Sequence, residues 1–326
     1  MSLFIGCIQL TPALMEILRR GLEVTKLTSI RLKNNDFVRE SLEGIIRVIN
    51  TQSNMTDFIW ENNFIGNIDD ANLLLESIKQ HPSINTIKFE DCFGEYLNGY
   101  DMLCSLINGG KHFDSITLVD NNVSTMGNTH LPDYIATNPR LQTLHLENAG
   151  LNDNDATLMA TALRNNSNLR VLHLQKNDVG VGALERAVFD PTSLNLVAEC
   201  NHTCSIVMRA HFDEFQNNVF SRDANSRYNK GKKIYHMISL RHKIGTNVKL
   251  LDAELGDDSL ILVPHVLDCL YRCSEQFRVV HPRYVDDIRP LSIFFEIWKG
   301  WHMPALHETR KRRELISEVE TSKYVD

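Results

Sequence analysis

No stretch of the chain is apolar over the roughly 20 residues needed to cross a bilayer. The longest apolar runs are pieces such as Leu260–Val263 and Ile293–Phe295. Basic charge is also scarce: 34 Lys and Arg stand against 41 Asp and Glu, for a net charge of −7. That balance disfavours nucleic acid, whose phosphates call for a basic face, and leans weakly towards basic or neutral partners. The phosphate-loop pattern G-x-x-x-x-G-K-[ST], the nucleophile elbow G-x-S-x-G and the zinc motif H-E-x-x-H are all missing. Gly109-Gly110 reads as a helix stop, not a phosphate loop. No membrane span, catalytic centre or cofactor is therefore expected.

Cysteine occurs seven times, an odd count spread over the whole length and without a C-x2-C pair. Met1–Leu10 is apolar but has no basic run before it, and Glu16 soon interrupts it, so it reads as part of the fold. Reduced thiols in a cytoplasmic protein are the expectation. The basic run Arg310-Lys311-Arg312-Arg313 offers nuclear import as an alternative to a plain solvated helix face.

What the sequence does contain is a repeat. Leu27-Thr-Ser-Ile30-Arg-Leu32-Lys-Asn-Asn35 has the form L-x-x-L-x-L-x-x-N. The same spacing recurs from Met55 to Asn63, Ile84 to Cys92, Phe113 to Asn121, Leu141 to Ala149 and Leu169 to Asn177. The starts at 27, 55, 84, 113, 141 and 169 are 28 or 29 residues apart. In each unit the L-x-L core predicts a short strand with one apolar face. The Asn then turns the chain and bonds backbone groups that the turn leaves unpaired. Ala149 has no such side chain, so the fifth turn is expected to be loose or water-filled.

Between strands, the apolar spacing predicts helices over Arg39–Asn50, Asp69–Gln80 and Asp153–Asn165, and another around Pro12–Leu22. Leu3, Ile5, Ile8 and Leu10 match the strand end of a unit already under way, which points to a truncated N-terminus. Leu194-Asn-Leu-Val197 is read as opening a degenerate last unit, with a closing strand near Ser205-Ile206. The expected organisation is an α/β leucine-rich-repeat solenoid over 1–206, a polar connector over 207–231 and a helical C-terminal region over 232–326. The solenoid would be a horseshoe with a parallel sheet on its concave side and helices on its convex side. Within the last region Lys232–His242 reads as a helix and Gly245–Ser259 as a polar break. Pro264, Pro290 and Pro304 would open further helices that cover the end of the core.

The units resemble those of ribonuclease-inhibitor-type leucine-rich-repeat proteins. The stretches Ser193-Leu194, Asn201-His202-Thr203-Cys204, Lys232-Lys233-Ile234-Tyr235, Pro290-Leu291-Ser292-Ile293 and Glu296-Ile297 are similar to the tails of the "RNI-like" family of diatom genomes. The resemblance implies binding without catalysis. Departures from the consensus at Cys92, Ala149 and His202 put local turn geometry in question.

Parallel strands stack equivalent positions about 4.8 Å apart, so each variable position becomes a column. One column is Arg31, Ile59, Lys88, Thr117, His145, His173; another is Lys33, Glu61, Glu90, Val119, Glu147, Gln175. With Asp57, Asp91, Asp114 and Asp120, the middle units are expected to be acidic, and Arg31, Lys33, Arg170 and Lys176 make the ends basic. Like charges on adjacent strands cost the fold energy, so they point to recognition of a basic protein surface, with Ile59 and Val119 as apolar anchors. The plainer alternative is a solvated charged face.

The partner-binding residues expected are Asp57, Ile59, Glu61, Lys88, Glu90, Asp114, Val119, His145, Glu147 and His173. Adjacent His145 and His173 with Glu147 could in principle hold a metal. Cys200-x3-Cys204 and Cys269-x3-Cys273 have a similar spacing, but core cysteine is the better reading of both. No metal site is expected. The leading functional expectation is an intracellular scaffold or adaptor. The alternative is a small-GTPase regulator of the Ran GTPase-activator type, for which Asn34, Asn35 and Arg39 would be the residues to watch.

Overall fold

A computed structural model describes residues 1–93, 97–108, 110–208, 217, 226–255, 265–268, 270–272, 292–293 and 295–297. Strands and helices alternate along it. The order is β1 (Ser2–Gly6), β2 (Gln9–Leu10), α1 (Pro12–Leu22), β3 (Ser29–Lys33), β4 (Asp36–Phe37), α2 (Arg39–Thr51), β5 (Asp57–Glu61) and α3 (Ile68–Gln80). Then come β6 (Thr86–Glu90), α4 (Gly99–Asn108), β7 (Ser115–Val119), α5 (His130–Ala136), β8 (Thr143–His145) and α6 (Asp153–Arg164). The rest are β9 (Val171–His173), α7 (Val181–Val188), α8 (Leu194–Glu199), β10 (Ser205–Val207), α9 (Ser226–Lys243) and α10 (Asn247–Leu255). Eight strands form one open parallel sheet in the order β1-β3-β5-β6-β7-β8-β9-β10, and β2 pairs with β4 in a small sheet of its own. This is an α/β repeat fold.

The register follows the repeat. Leu32 pairs with Trp60, Trp60 with Phe89 and Phe89 with Leu118, and all of these side chains are buried together with Leu146 and Leu174. Alternate strand residues thus feed one continuous apolar row, and the residues between them face the other way. The second and third units thicken the row with aromatics. Phe58 stacks on Trp60 at 6.0 Å, and Phe37 meets Trp60 edge-on at 5.1 Å.

Helix starts obey the local sequence. Thr11 caps α1 ahead of Pro12, Asn67 caps α3, and Asn152 with Asp155 forms a capping box on α6. Each unit also places one residue in the left-handed region just after its strand: Cys7, Asn34, Asn62, Asp91, Asp120, Asn148 and Lys176. Asn and Asp tolerate that conformation better than other residues with a side chain.

The turn asparagines hold the unit before their own. Asn63 Oδ1 accepts from the Asn35 N–H at 2.6 Å, and Asn63 Nδ2 donates to Leu32 O at 2.8 Å. Asn121 accepts from Cys92 and Phe93 and donates to Phe89 O. Asn177 does the same for the Ala149 turn, accepting from Ala149 at 2.8 Å and from Leu151 at 3.2 Å. The looseness expected at Ala149 is therefore absent, because its turn is bonded from the next unit. What Ala149 fails to supply is a side-chain partner for the Asn121 turn, where only its carbonyl serves, accepting from Val123. Cys92, in the same role, turns its thiol to Trp60 O.

A second polar ladder runs where helices return to strands. Gln52 bonds Leu22 O and the Leu27 N–H, and His81 bonds Gln52 O and two backbone N–H groups. Lys111 donates to Ile78 O and His81 O, Asn166 to Ile135 O, and Asn201 to Leu163 O and Asn166 O.

Two expectations about elements are corrected. Leu194–Val197 does not open a strand; it lies in α8, where its leucines and valine follow a helical turn, and only β10 closes the sheet. The polar break over 245–259 contains α10. Two compact units are distinguished: Met1–Asp190 with Glu199–Asn225, and Pro191–Ala198 with Ser226–Asp326. Within the second, Arg241 pairs with Glu254 at 2.6 Å, and Asn247 donates to Ile238 O and to Glu296. Pro264, Pro290, Pro304, Cys269, Cys273 and Arg310–Arg313 lie outside the described residues, as does most of the polar connector.

Candidate partner-binding face

The strand residues that point away from the apolar row form the columns expected from the repeat. Arg31, Ile59, Lys88, Thr117, His145 and His173 pair in register across six strands, with Phe4 ahead of them. Lys33, Glu61, Glu90 and Val119 pair likewise. Glu147 and Gln175 continue that line just past the ends of β8 and β9.

Glu61 departs from expectation. It is not an exposed acid: its side chain is only 2% accessible. Arg31 Nη2 lies 2.6 Å away on one side, Lys88 Nζ 2.7 Å on the other, and Lys33 Nζ at 3.8 Å. The long basic side chains of adjacent strands fold over the shorter carboxylate, which a list of charges by column does not reveal. Burial pushes the Glu61 carboxyl up, but bonds from Lys88 and Arg31 outweigh it and hold it below its usual range. Lys88 also reaches Glu90 at 2.5 Å, so the repulsion expected between Glu61 and Glu90 is bridged by a cation. Burial lowers the Lys88 ammonium, and Glu61 and Glu90 raise it further than burial lowers it.

The second charged group lies on β8 and β9. His145 and His173 stack with ring centroids 4.4 Å apart. His145 Nε2 meets Glu147 at 3.1 Å, and Lys176 pairs with Glu147 at 2.7 Å. The Lys176 bond, then that of His145, lowers the Glu147 carboxyl. Burial keeps His173 below the usual imidazole range, with His145 adding to the effect, and its Nδ1 has no hydrogen-bond partner among the described residues. Among the described residues, no group of three or more His, Cys, Asp or Glu side chains is placed to hold a metal ion.

The remaining expected residues line the same face. Asp57 accepts from Thr56 Oγ1 at 2.6 Å, and Asp114 pairs with Arg140 at 2.7 Å and accepts from Asn85 Nδ2. Ile59 and Val119 are half-buried between charged neighbours, and Asp91 and Asp120 are exposed. The cross-strand ion pairs and the part played by Arg140 are not legible in the columns. The left-handed Asn and Asp residues occupy the x just before each turn position of the repeat.

Asn34, Asn35 and Arg39 serve the fold. Asn35 is buried and bonds Ile5 O and the Ile8 N–H; Arg39 pairs with Asp70 at 2.8 Å; Asn34 occupies a left-handed turn. Cys200 and Cys204 are both buried. No described helix is long and apolar enough to cross a membrane.

No protein-family model matches the chain. A similar curated protein is the "NACHT, LRR and PYD domains-containing protein 5" of Mus musculus, 29% identical over 121 residues. The aligned segment is 36% of this chain, and the chain covers 10% of that protein's length. The likeness is to a protein whose name includes a leucine-rich-repeat part, and it reaches no further.

Proposed function

We propose that the chain is a leucine-rich-repeat solenoid of the ribonuclease-inhibitor type that acts by binding, without catalysis. It would be an intracellular interaction module that holds a protein ligand on its concave strand face. The observation that carries this reading is the register. Six strands bring Arg31, Ile59, Lys88, Thr117, His145 and His173 into one column on an open side of the sheet. Such a surface offers many side chains at fixed spacing. The likeness to a protein named for leucine-rich repeats supports it. A ligand with basic groups suits the exposed Asp91 and Asp120, and apolar groups suit Ile59 and Val119. Glu61 belongs to the scaffold of the face rather than to its contact surface.

Affinity purification with the wild type beside the triple variant Ile59→Glu, Val119→Glu, Asp120→Lys tests the proposal. These side chains stand clear of the apolar row, so the variant keeps its fold, as circular dichroism would show. The expected result is loss of the wild-type partners. Recovery of the same partners by both proteins would refute binding on this face.

A further inference from the structure

At the start of β8 and β9 the chain leaves a shallow cavity of about 240 Å³, lined by Arg140, Gln142, Ser167, Asn168 and Arg170. The repeat builds it. Arg140 and Asn168 stand just before the first leucine of their units, and Gln142 and Arg170 just after it. Its rim is fixed by hydrogen bonds. The Arg170 N–H donates to Gln142 O at 2.8 Å, and Asn168 Nδ2 donates to Asn138 O at 2.9 Å and to Pro139 O at 3.0 Å. Ser167 Oγ accepts from Asn138 Nδ2 at 3.0 Å, which leaves the hydroxyl proton to be donated elsewhere.

The charges here are not balanced. Arg140 meets Asp114 through Nε at 2.7 Å and Nη2 at 3.5 Å, yet it is 68% exposed and keeps Nη1 for another acceptor. The Arg170 side chain is exposed and, among the described residues, has neither an ion pair nor a hydrogen bond. Elsewhere on the strand face, Arg31, Lys33, Lys88 and Lys176 all meet Glu61, Glu90 or Glu147. Two guanidiniums, a hydroxyl and the Gln142 amide therefore converge on a space that holds one compensating carboxylate at its border. Two guanidiniums lining one space suit a tetrahedral anion better than a planar carboxylate, which a single guanidinium satisfies.

We infer that this cavity is a subsite for a phosphate monoester. Resting on the protein-binding reading above, it receives a phosphoserine or phosphothreonine of the protein ligand. A polyanion does not fit the surroundings: exposed Asp91 and Asp120 lie along the same sheet, and the whole chain carries a net charge of −7. A single phosphate on an otherwise neutral or basic segment meets the arginines and leaves its neighbours for the carboxylates.

Fluorescence anisotropy with the full chain tests the inference. The probes are a degenerate peptide library with central phosphoserine or phosphothreonine, and the same library unphosphorylated. The phosphorylated library is expected to bind roughly tenfold more tightly. Arg170→Ala should abolish that preference, Arg140→Ala should weaken it, and Arg170→Lys should restore part of it. Arg20→Ala, an exposed arginine on α1, should leave it unchanged. Equal binding of the two libraries, or a preference indifferent to Arg170→Ala, would overturn the inference. Inorganic phosphate, run as a separate arm, should bind far more weakly; if it matches the phosphopeptides, the ligand is free phosphate and the protein source is wrong. Tighter binding of a single-stranded RNA oligomer would overturn it too. Should only the phosphate preference fail, partners sensitive to the strand-face variant still uphold protein binding. Should the strand-face variant keep every partner, the broader reading falls whatever the peptides do.

Discussion

Asn63, Asn121 and Asn177 each spend their amide on the turn of the preceding unit. The sequence pattern marks these positions but not the direction of their bonds, which depends on how one unit lies on the next. For that reason the pattern alone places the consequence of Ala149 one unit too late. A buried amide that satisfies two backbone N–H groups is costly to remove. Asn121→Ala should lower the unfolding free energy by about 1–3 kcal/mol, read from the urea midpoint at unchanged slope.

Two histidines add a pH dependence. Burial is the main reason that His81 and His173 lie below the usual imidazole pKa of 6.5. Hydrogen bonding also favours the neutral form of His81, since its Nδ1 accepts from the Ser83 and Ile84 N–H groups. With folded values depressed, the unfolded chain takes up protons first. The stabilisation is complete above 6.5 and shrinks as the pH falls towards the folded values. Glu61 acts only in a lower window, below its ordinary 4.5. The urea midpoint should therefore drop between roughly pH 7.5 and pH 5.5, and drop less in His81→Gln; an unchanged midpoint would contradict this assignment.

At the scale of elements, capped and periodic helices were legible. Apolar spacing alone places α1, α2, α3 and α6 within a residue or so of their observed ends; the caps Thr11, Asn67 and Asn152 on three of them come from the structure. α8 was not, since Leu194-Asn-Leu-Val197 satisfies a strand's alternation and a helix turn equally well. β2 and β4 are two residues each, too short for any period to register. Two glycines show how differently the elements tolerate change. A methyl group on Gly99, at the start of α4, would sit 2.5 Å from Asn122 O in the next unit. One on Gly21 of α1 would meet nothing within 4 Å. Gly99→Ala should destabilise by about 1–3 kcal/mol, and Gly21→Ala should stabilise by about 0.5–1 kcal/mol. Thermal melts of the two variants should thus move in opposite directions.

For the molecule as a whole, the period fixes the columns of the strand face, which is why their membership was legible residue by residue. Their electrostatics were not, because Arg31 and Lys88 reach across strands to cover Glu61. The proposed function depends on that face being where a protein ligand lies. Photo-crosslinking tests this most directly, with a benzophenone side chain placed at Thr117, in the middle of the face, or at Asn72, exposed on α3. Irradiation in a cell extract should give protein adducts from position 117 and not from position 72. Adducts from Asn72 alone, or none from Thr117, would contradict the account.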